Sequence, residues 1–253
     1  MFEEWIRKYD ITQVTKNQIG CSADGVYFLT NNKQNYYLKI SSNKEILNEV
    51  KAYRYLEGKL NVPKVYEFTQ KDGQYFLLMS EVKGKMLCDL LHEDIESTIK
   101  LYALALKMLH DLPIKDYPIQ RDLSELIQTA KNHLPDIDIN TLEEITKERG
   151  LEATIQRLVE LKPLDRDLVI CHGDFCMPNI LVGEEIGFID LGRSGIDDRY
   201  QDIALALRSL KTNIEMIDQP YRDAYTTLFL ETYGIFEIDE KKREFYFLLD
   251  EFY

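Results

Sequence analysis

No run of 18 apolar residues occurs in the 253-residue chain, which argues against a membrane-spanning helix. Glycine and proline are sparse, at 12 and 7 residues, so long flexible or collagen-like segments are not expected. The opening MFEEWIRKYD mixes acidic and basic side chains and does not read as a secretory leader. Only four cysteines occur, Cys21, Cys88, Cys171 and Cys176. They are scattered and nothing marks secretion, so free thiols in a reducing cytoplasm are expected. Cys171, His172 and Cys176 match no zinc spacing, and no second ligand pair follows. Basic residues are also in deficit, 31 against 44 acidic ones, for a net charge of −13. Such a surface repels nucleic acid and anionic membranes, so neither is expected as a partner. It suits a cationic small molecule, or serves solubility alone.

What is present is an ordinary globular composition, 45% hydrophobic and 30% charged, with room for one large domain or two modest lobes. The first 80 residues are strand-rich. GVYFLT and NYYLKI flank the polar turn NNKQ, and KVYEFTQKDGQYFLLMSEV turns at KDG, so both read as hairpins. Between them, NKEILNEVKAYRYLEGKL carries helical periodicity through Ile46, Val50, Tyr53, Leu56 and Leu60. After Gly84 the pattern turns helical, in ESTIKLYALALKMLHDL, GLEATIQRLVEL, YQDIALALRSL and KKREFYFLLDEFY. The expected organisation is an N-terminal lobe over residues 1–80, a hinge at 81–85 and a larger, mostly helical lobe over 86–253. Two unequal lobes make a cleft, and clefts host ligands.

The stretch CHGDFCMPNILVGEEIGFIDLGRSG holds the densest chemistry. ILV and IGFID are apolar runs on either side of the turn GEE. In an antiparallel hairpin the start of one strand lies beside the end of the next, which puts Asn179 next to Asp190. Asp174 sits in the loop just before. Two converging oxygen ligands suit a hard cation such as Mg²⁺, which fills its other positions with phosphates and water. A carboxylate kept off the metal could orient a hydroxyl. Asp and Asn are also ordinary turn residues, so the hairpin alone leaves both readings open.

The N-terminal region adds weight to the chemical reading. In NYYLKI, Tyr36, Leu38 and Ile40 share one face of the strand, and Tyr37 and Lys39 the other. On the following helix, steps of about 100° per residue place Glu49 inside the apolar arc. A carboxylate facing a core is costly unless paired, and Lys39 is the candidate partner. A bonded Lys–Glu pair that offers its ammonium to phosphates is one part of a kinase nucleotide site. The alternative is an exposed Lys39 and a Glu49 that only borders the buried face.

Taken together, a strand Lys, a helical Glu, H-G-D-x4-N and I-D-L-G-R resemble the protein-kinase-like phosphotransferases. CHGDFCMPNILV…GFIDLGRSGIDDRYQDIALALRSL, with YRYLEGKLNVPKVYEF and the closing LLDEFY, is similar to the aminoglycoside 3′-phosphotransferases. The resemblance covers essentially the whole chain. It implies an α+β, two-lobed protein-kinase-like fold, with a small antiparallel-sheet lobe and a larger helical one. Asp174 would be the catalytic carboxylate, with Arg193 shaping the site and contacting the catalytic loop or substrate. Asn179 and Asp190 would hold Mg²⁺. Lys39, positioned by Glu49, would contact the phosphates of ATP or GTP, and Ser22 would cover the β-phosphate. Tyr37 would stack on the base, and Met79, Ser80 and Val82 belong to the segment that would meet its edge. His172 and Asp202 would brace the catalytic loop.

The same resemblance implies an aminoglycoside as acceptor, phosphorylated at its 3′-hydroxyl, with antibiotic resistance as the consequence. Asp250, Glu251 and the terminal carboxylate of Tyr253 would receive its ammonium groups, joined by Glu143 and Glu144, which could equally be a solvated helix face. Asn140 and Thr212 stand where acidic residues would be expected. Choline, or another small hydroxyl substrate, is the alternative acceptor on the same fold. A cytoplasmic monomer or weak dimer is expected.

Overall fold

The computed structural model describes residues 2–16 and 25–253. The chain divides into two compact units. One comprises Met1–Lys85 with Leu181–Arg193, and the other Met86–Ile180 with Ser194–Tyr253. The hairpin after the HGD loop thus groups with the N-terminal residues, whereas the sequence pattern places it inside residues 86–253.

The first unit is built on a five-stranded antiparallel sheet in the order β1-β2-β3-β5-β4. Its strands are β1 (Gln13–Lys16), β2 (Gly25–Thr30), β3 (Asn35–Ser41), β4 (Val65–Lys71) and β5 (Gln74–Ser80). The β4–β5 turn places Asp72 and Gly73 at φ 51° and 78°, the left-handed pair that suits a tight hairpin. Helix α1 (Phe2–Lys8) supplies Trp5 to a cluster with Leu29, Tyr36, Leu38 and Leu78. Helix α2 (Glu45–Leu56) buries Ile46, Val50, Ala52, Tyr53 and Leu56. The apolar spacing runs on to Leu60, but the helix stops at Leu56. Glu57 leaves helical geometry with ψ 124°, and Gly58 follows at φ 77°.

A two-residue strand, β6 (Lys85–Met86), marks the passage to the second unit, whose framework is helical. Its helices are α3 (Ile95–His110), α4 (Leu123–His133), α5 (Glu144–Arg149), α6 (Leu151–Leu161), α7 (Tyr200–Met216), α8 (Asp223–Tyr233) and α9 (Glu240–Asp250). Asp94, Asp122 and Asp239 cap α3, α4 and α9 by accepting backbone N–H groups of the first turn, which satisfies donors that a helix start leaves open. Strand β7 (Leu168–Cys171) pairs antiparallel with β10 (Gly195–Asp198). Among the described residues, no helix is long and apolar enough to cross a membrane.

Between them in sequence lie β8 (Ile180–Val182) and β9 (Ile186–Phe188). In the first unit the Phe188 N–H donates to Asn61 O at 2.9 Å. Gly84 lies so close that a Cβ there would sit 2.7 Å from the Val182 carbonyl carbon. This seat delivers Asp190, at φ 60°, to the sheet residues described next.

Candidate active site

In the first unit, the alternation of β3 buries Tyr36 and Leu38 and presents Tyr37 and Lys39 on the opposite face. Lys39 Nζ lies 3.0 Å from Glu49 Oε2 on α2 and 3.0 Å from Asp190 Oδ1 after β9. Tyr53 sits one turn beyond Glu49. Its hydroxyl donates to Glu49 Oε1 at 2.9 Å and accepts the Asp190 N–H at 2.9 Å. Burial by itself would lower the Lys39 pKa. The carboxylates of Glu49 and Asp190 outweigh it and hold the ammonium well above its ordinary value. The arrangement is a fixed cation whose carboxylate partners come from two other elements.

Sequence reasoning paired Lys39 with Glu49 but missed Tyr53. The available signal was its spacing, since residues four apart on a helix are neighbours. Tyr37 is half-buried and meets Phe28 edge-on at 5.5 Å. The Ser80 and Glu81 N–H groups are taken by Lys64 O and Asn35 O, and Met79 lies within β5. Arg193 Nε stands 3.6 Å from Glu45 Oε1. Ser22 lies outside the described residues.

In the second unit, β7 runs into His172, Gly173 and Asp174. Gly173 adopts φ 85°, a conformation that costs glycine little. The loop is anchored from α7, because Asp202 Oδ2 accepts the His172 N–H at 2.6 Å and Oδ1 accepts the Gly173 N–H at 2.8 Å. His110 Nε2 also reaches Asp202 Oδ2, at 3.0 Å, and His110 Nδ1 meets the Tyr233 hydroxyl at 2.7 Å. Burial would raise the Asp202 carboxyl, but His110 and the Gly173 N–H hold it below the usual carboxylate range. His110, Cys171 and Asp202 bring ligand atoms within 4.8 Å of one another. Each already has a hydrogen-bond partner, Cys171 donating to Asp198 O, so the trio reads as bracing rather than as a metal centre. The His172 ring is buried, packs edge-on against Phe175 at 5.8 Å, and its nitrogens have no partner among the described residues. Its side chain braces by packing and its backbone by hydrogen bonding.

The Asp174 carboxylate is met by two donors. Asn179 Nδ2 donates to Asp174 Oδ2 at 3.1 Å and to its main-chain oxygen at 3.0 Å. Cys176 Sγ lies 3.1 Å from Asp174 Oδ1. Burial, and then Asp174, push the Cys176 thiol well up. The Asn179 amide is thus turned so that Oδ1 is its remaining acceptor. Asn179 Oδ1 and the Asp190 carboxylate, whose side chain is 47% exposed, are hard oxygen donors that fit Mg²⁺ chemically.

At the C-terminal end, Arg208 of α7 pairs with Asp250 and, at 3.4 Å, with Glu251. Glu251 Oε2 also accepts the Glu143 N–H at 2.9 Å. The acidic residues expected to meet a polycation therefore have an internal cation, which the sequence reading did not foresee. Tyr253 anchors the chain end, its hydroxyl donating to Leu126 O at 2.7 Å. Glu144 is exposed and paired with Lys147 at 2.9 Å, as on an ordinary solvated helix. Asn140 folds back on Asp138 through its N–H and Nδ2, at 2.9 and 2.8 Å. A cavity of about 620 Å³ nearby is lined by Glu143, Arg208, Thr212, Glu244 and Phe247 among others.

Comparison with known proteins gives consistent matches. The model of the phosphotransferase enzyme family matches residues 13–245. An aminoglycoside 3′-phosphotransferase of Niallia circulans is 38% identical, covering 99% of this chain and 97% of the relative. One of Enterococcus faecalis is 36% identical, covering 98% and 95%. Among solved structures, an aminoglycoside-3′-phosphotransferase of type VIII is 28% identical with a TM-score of 0.83, over 100% of this chain and 97% of that one. A choline kinase of Streptococcus pneumoniae is 16% identical with a TM-score of 0.71, over 99% and 89%, a likeness of fold alone. The α+β, kinase-like fold expected from the sequence is the one these structures share.

Proposed function

This chain belongs to the phosphotransferase enzyme family and, within it, to the aminoglycoside 3′-phosphotransferases; from that premise we propose that it moves the γ-phosphoryl group of a nucleoside triphosphate to the 3′-hydroxyl of a kanamycin- or neomycin-type aminoglycoside. The observation that carries this reading is Lys39 held between Glu49 and Asp190. A buried cation braced on two sides is what phosphate oxygens need for positioning. The acceptor oxygen forms the new P–O bond as the bond to the β-phosphate oxygen breaks, and its proton passes toward Asp174. Catalysis then rests on orientation and charge complementarity, with no covalent enzyme intermediate.

Tyr37 supplies a ring for the base, and the Val82 N–H is an amide of the 79–82 segment without a partner among the described residues. Asn179 and Asp190 would hold Mg²⁺, which supplies neutralisation of phosphate charge. Asp250, Glu251 and Glu143 carry the negative charge for substrate ammonium groups, and the overall charge of −13 favours such a cation. The proposed oligomeric state is a monomer or weak dimer. Free Cys88, Cys171 and Cys176 fit the cytoplasm, where modification would give resistance to the drug.

A coupled nucleotide-turnover assay with Mg²⁺, run with ATP and with GTP, tests this. Turnover is expected with kanamycin and neomycin and is not expected with 3′-deoxy tobramycin or with choline. Turnover with choline alone would remove the aminoglycoside assignment and keep the kinase chemistry.

A further inference from the structure

We propose that Cys176 is a positioning residue for phosphoryl transfer: its thiol holds Asp174 Oδ1 in place while the acceptor hydroxyl meets that oxygen. The inference rests on the reading of Asp174 as the carboxylate that orients that hydroxyl.

The two oxygens of Asp174 are held by donors of different strength. Oδ2 accepts from the Asn179 amide at 3.1 Å, and the same nitrogen spans to the Asp174 main-chain oxygen at 3.0 Å. Oδ1 accepts from Cys176 Sγ at 3.1 Å. An amide N–H is a firm donor and a thiol S–H a weak one. An ionised carboxylate oxygen has more than one lone-pair site, so the acceptor hydroxyl can meet Oδ1 with the thiol still on it, and the weaker donor leaves that oxygen the more open of the two. This asymmetry assigns Oδ1 as the oxygen that receives the acceptor, with Oδ2 as the fixed end about which the carboxylate is aimed.

The direction of the thiol is itself fixed. The Cys176 N–H donates to Asp174 O at 2.9 Å, and Cys176 O accepts the Asn179 N–H at 3.0 Å. On either side the backbone is tied to the core. Phe175 is fully buried and stacks on Tyr102 at 4.8 Å, and the Tyr102 hydroxyl donates to Phe175 O at 2.6 Å. The Met177 N–H donates to Ser209 Oγ at 2.9 Å. With the chain held at 175 and 177, the side chain at 176 has little choice of direction. Serine would keep a donor at this place, and alanine would leave Oδ1 without one.

The test compares Cys176→Ala and Cys176→Ser with the unsubstituted protein, measuring kcat and KM for both substrates. Cys176→Ala is expected to lower kcat about tenfold, short of the hundredfold that a misplaced catalytic geometry costs. Both KM values and the urea midpoint should change little. Cys176→Ser is expected to recover most of the lost kcat. An unchanged kcat in Cys176→Ala, or a Cys176→Ser variant as slow as Cys176→Ala, overturns the inference.

A readout independent of turnover is the infrared S–H stretching band of Cys176, isolated by subtracting the spectrum of Cys176→Ala. It should move to higher frequency in Asp174→Asn, where a charged acceptor becomes a neutral one. An unmoved band overturns the thiol–carboxylate contact. Retained turnover in Asp174→Asn overturns the functional reading of Asp174 instead.

Discussion

Lys39 Nζ lies as close to Asp190 as to Glu49, at 3.0 Å in each case. The Lys39 side chain is 13% exposed and that of Glu49 2%, so this contact is shielded from solvent on the Glu49 side. The cation proposed to serve the phosphates also keeps the two carboxylates from repelling each other. Lys39→Met removes both functions. The expected result is a loss of kcat/KM for nucleotide of at least about a hundredfold, together with lower stability, about 3 kcal/mol for a broken buried pair. Steady-state kinetics and urea unfolding measure the two effects separately.

Arg208 poses the same question at the other end of the chain. The side chains of Asp250 and Glu251 are 8% and 5% exposed, too buried to be left uncompensated. Arg208→Met should cost about 3–5 kcal/mol. Adding Asp250→Asn and Glu251→Gln to that variant should return part of it by removing the unpaired charges. Recovery in the triple variant, read from urea midpoints, separates charge from packing. No recovery would point to the arginine stem and its neighbour Phe247.

The pH dependence of stability follows from Asp202. Its carboxyl titrates below its ordinary value of 3.8, so between those two pKa values the unfolded chain binds the proton and the folded chain does not. The stability it contributes is complete above about pH 4 and drains away as pH falls through the lower, folded pKa. Asp202→Asn should flatten this acid segment in urea midpoints taken from about pH 6 to about pH 3. It should also slow turnover at neutral pH, because the His172 and Gly173 N–H groups lose a charged acceptor.

Gly84→Ala tests the seat of the hairpin that carries Asp190. At φ 152° the new Cβ would meet the Val182 backbone at 2.7–2.9 Å. Backbone on both sides leaves nothing flexible to yield, and a loss of about 2 kcal/mol or more is expected. Gly73→Ala is the control, with a positive φ of 78° and open space around it. It should cost only about 1–2 kcal/mol of conformational strain. Equal losses in the two variants would show that contact with Val182 does not matter.

Much of this is legible in the sequence. Alternation along NYYLKI separated Lys39 from the core side, and helical spacing turned Glu49 inward to meet it. The hairpin turn at Asp72–Gly73 and the helices α3, α6, α7 and α9 followed from local pattern. What escaped depends on partners distant in sequence. Nothing local to Arg208 says that α9 ends against it, and nothing in HGDFCMPN distinguishes a thiol aimed at Asp174 from one packed in the core. The grouping of residues 181–193 with the N-terminal unit is likewise a tertiary fact. The hairpin pattern is readable, but the strand it sits beside is not.

That grouping has a bearing on how the protein is made. The first unit takes its last piece, with Asp190, from residues that follow the larger part of the second unit, Met86–Ile180. Chains emerge from the ribosome N-terminus first and tend to fold unit by unit as they do. Here residues 1–85 leave the tunnel with the companion of Lys39 not yet synthesised, so the nascent sheet must wait with a buried ammonium short of one partner. The N-terminal unit is first to appear and cannot be first to finish.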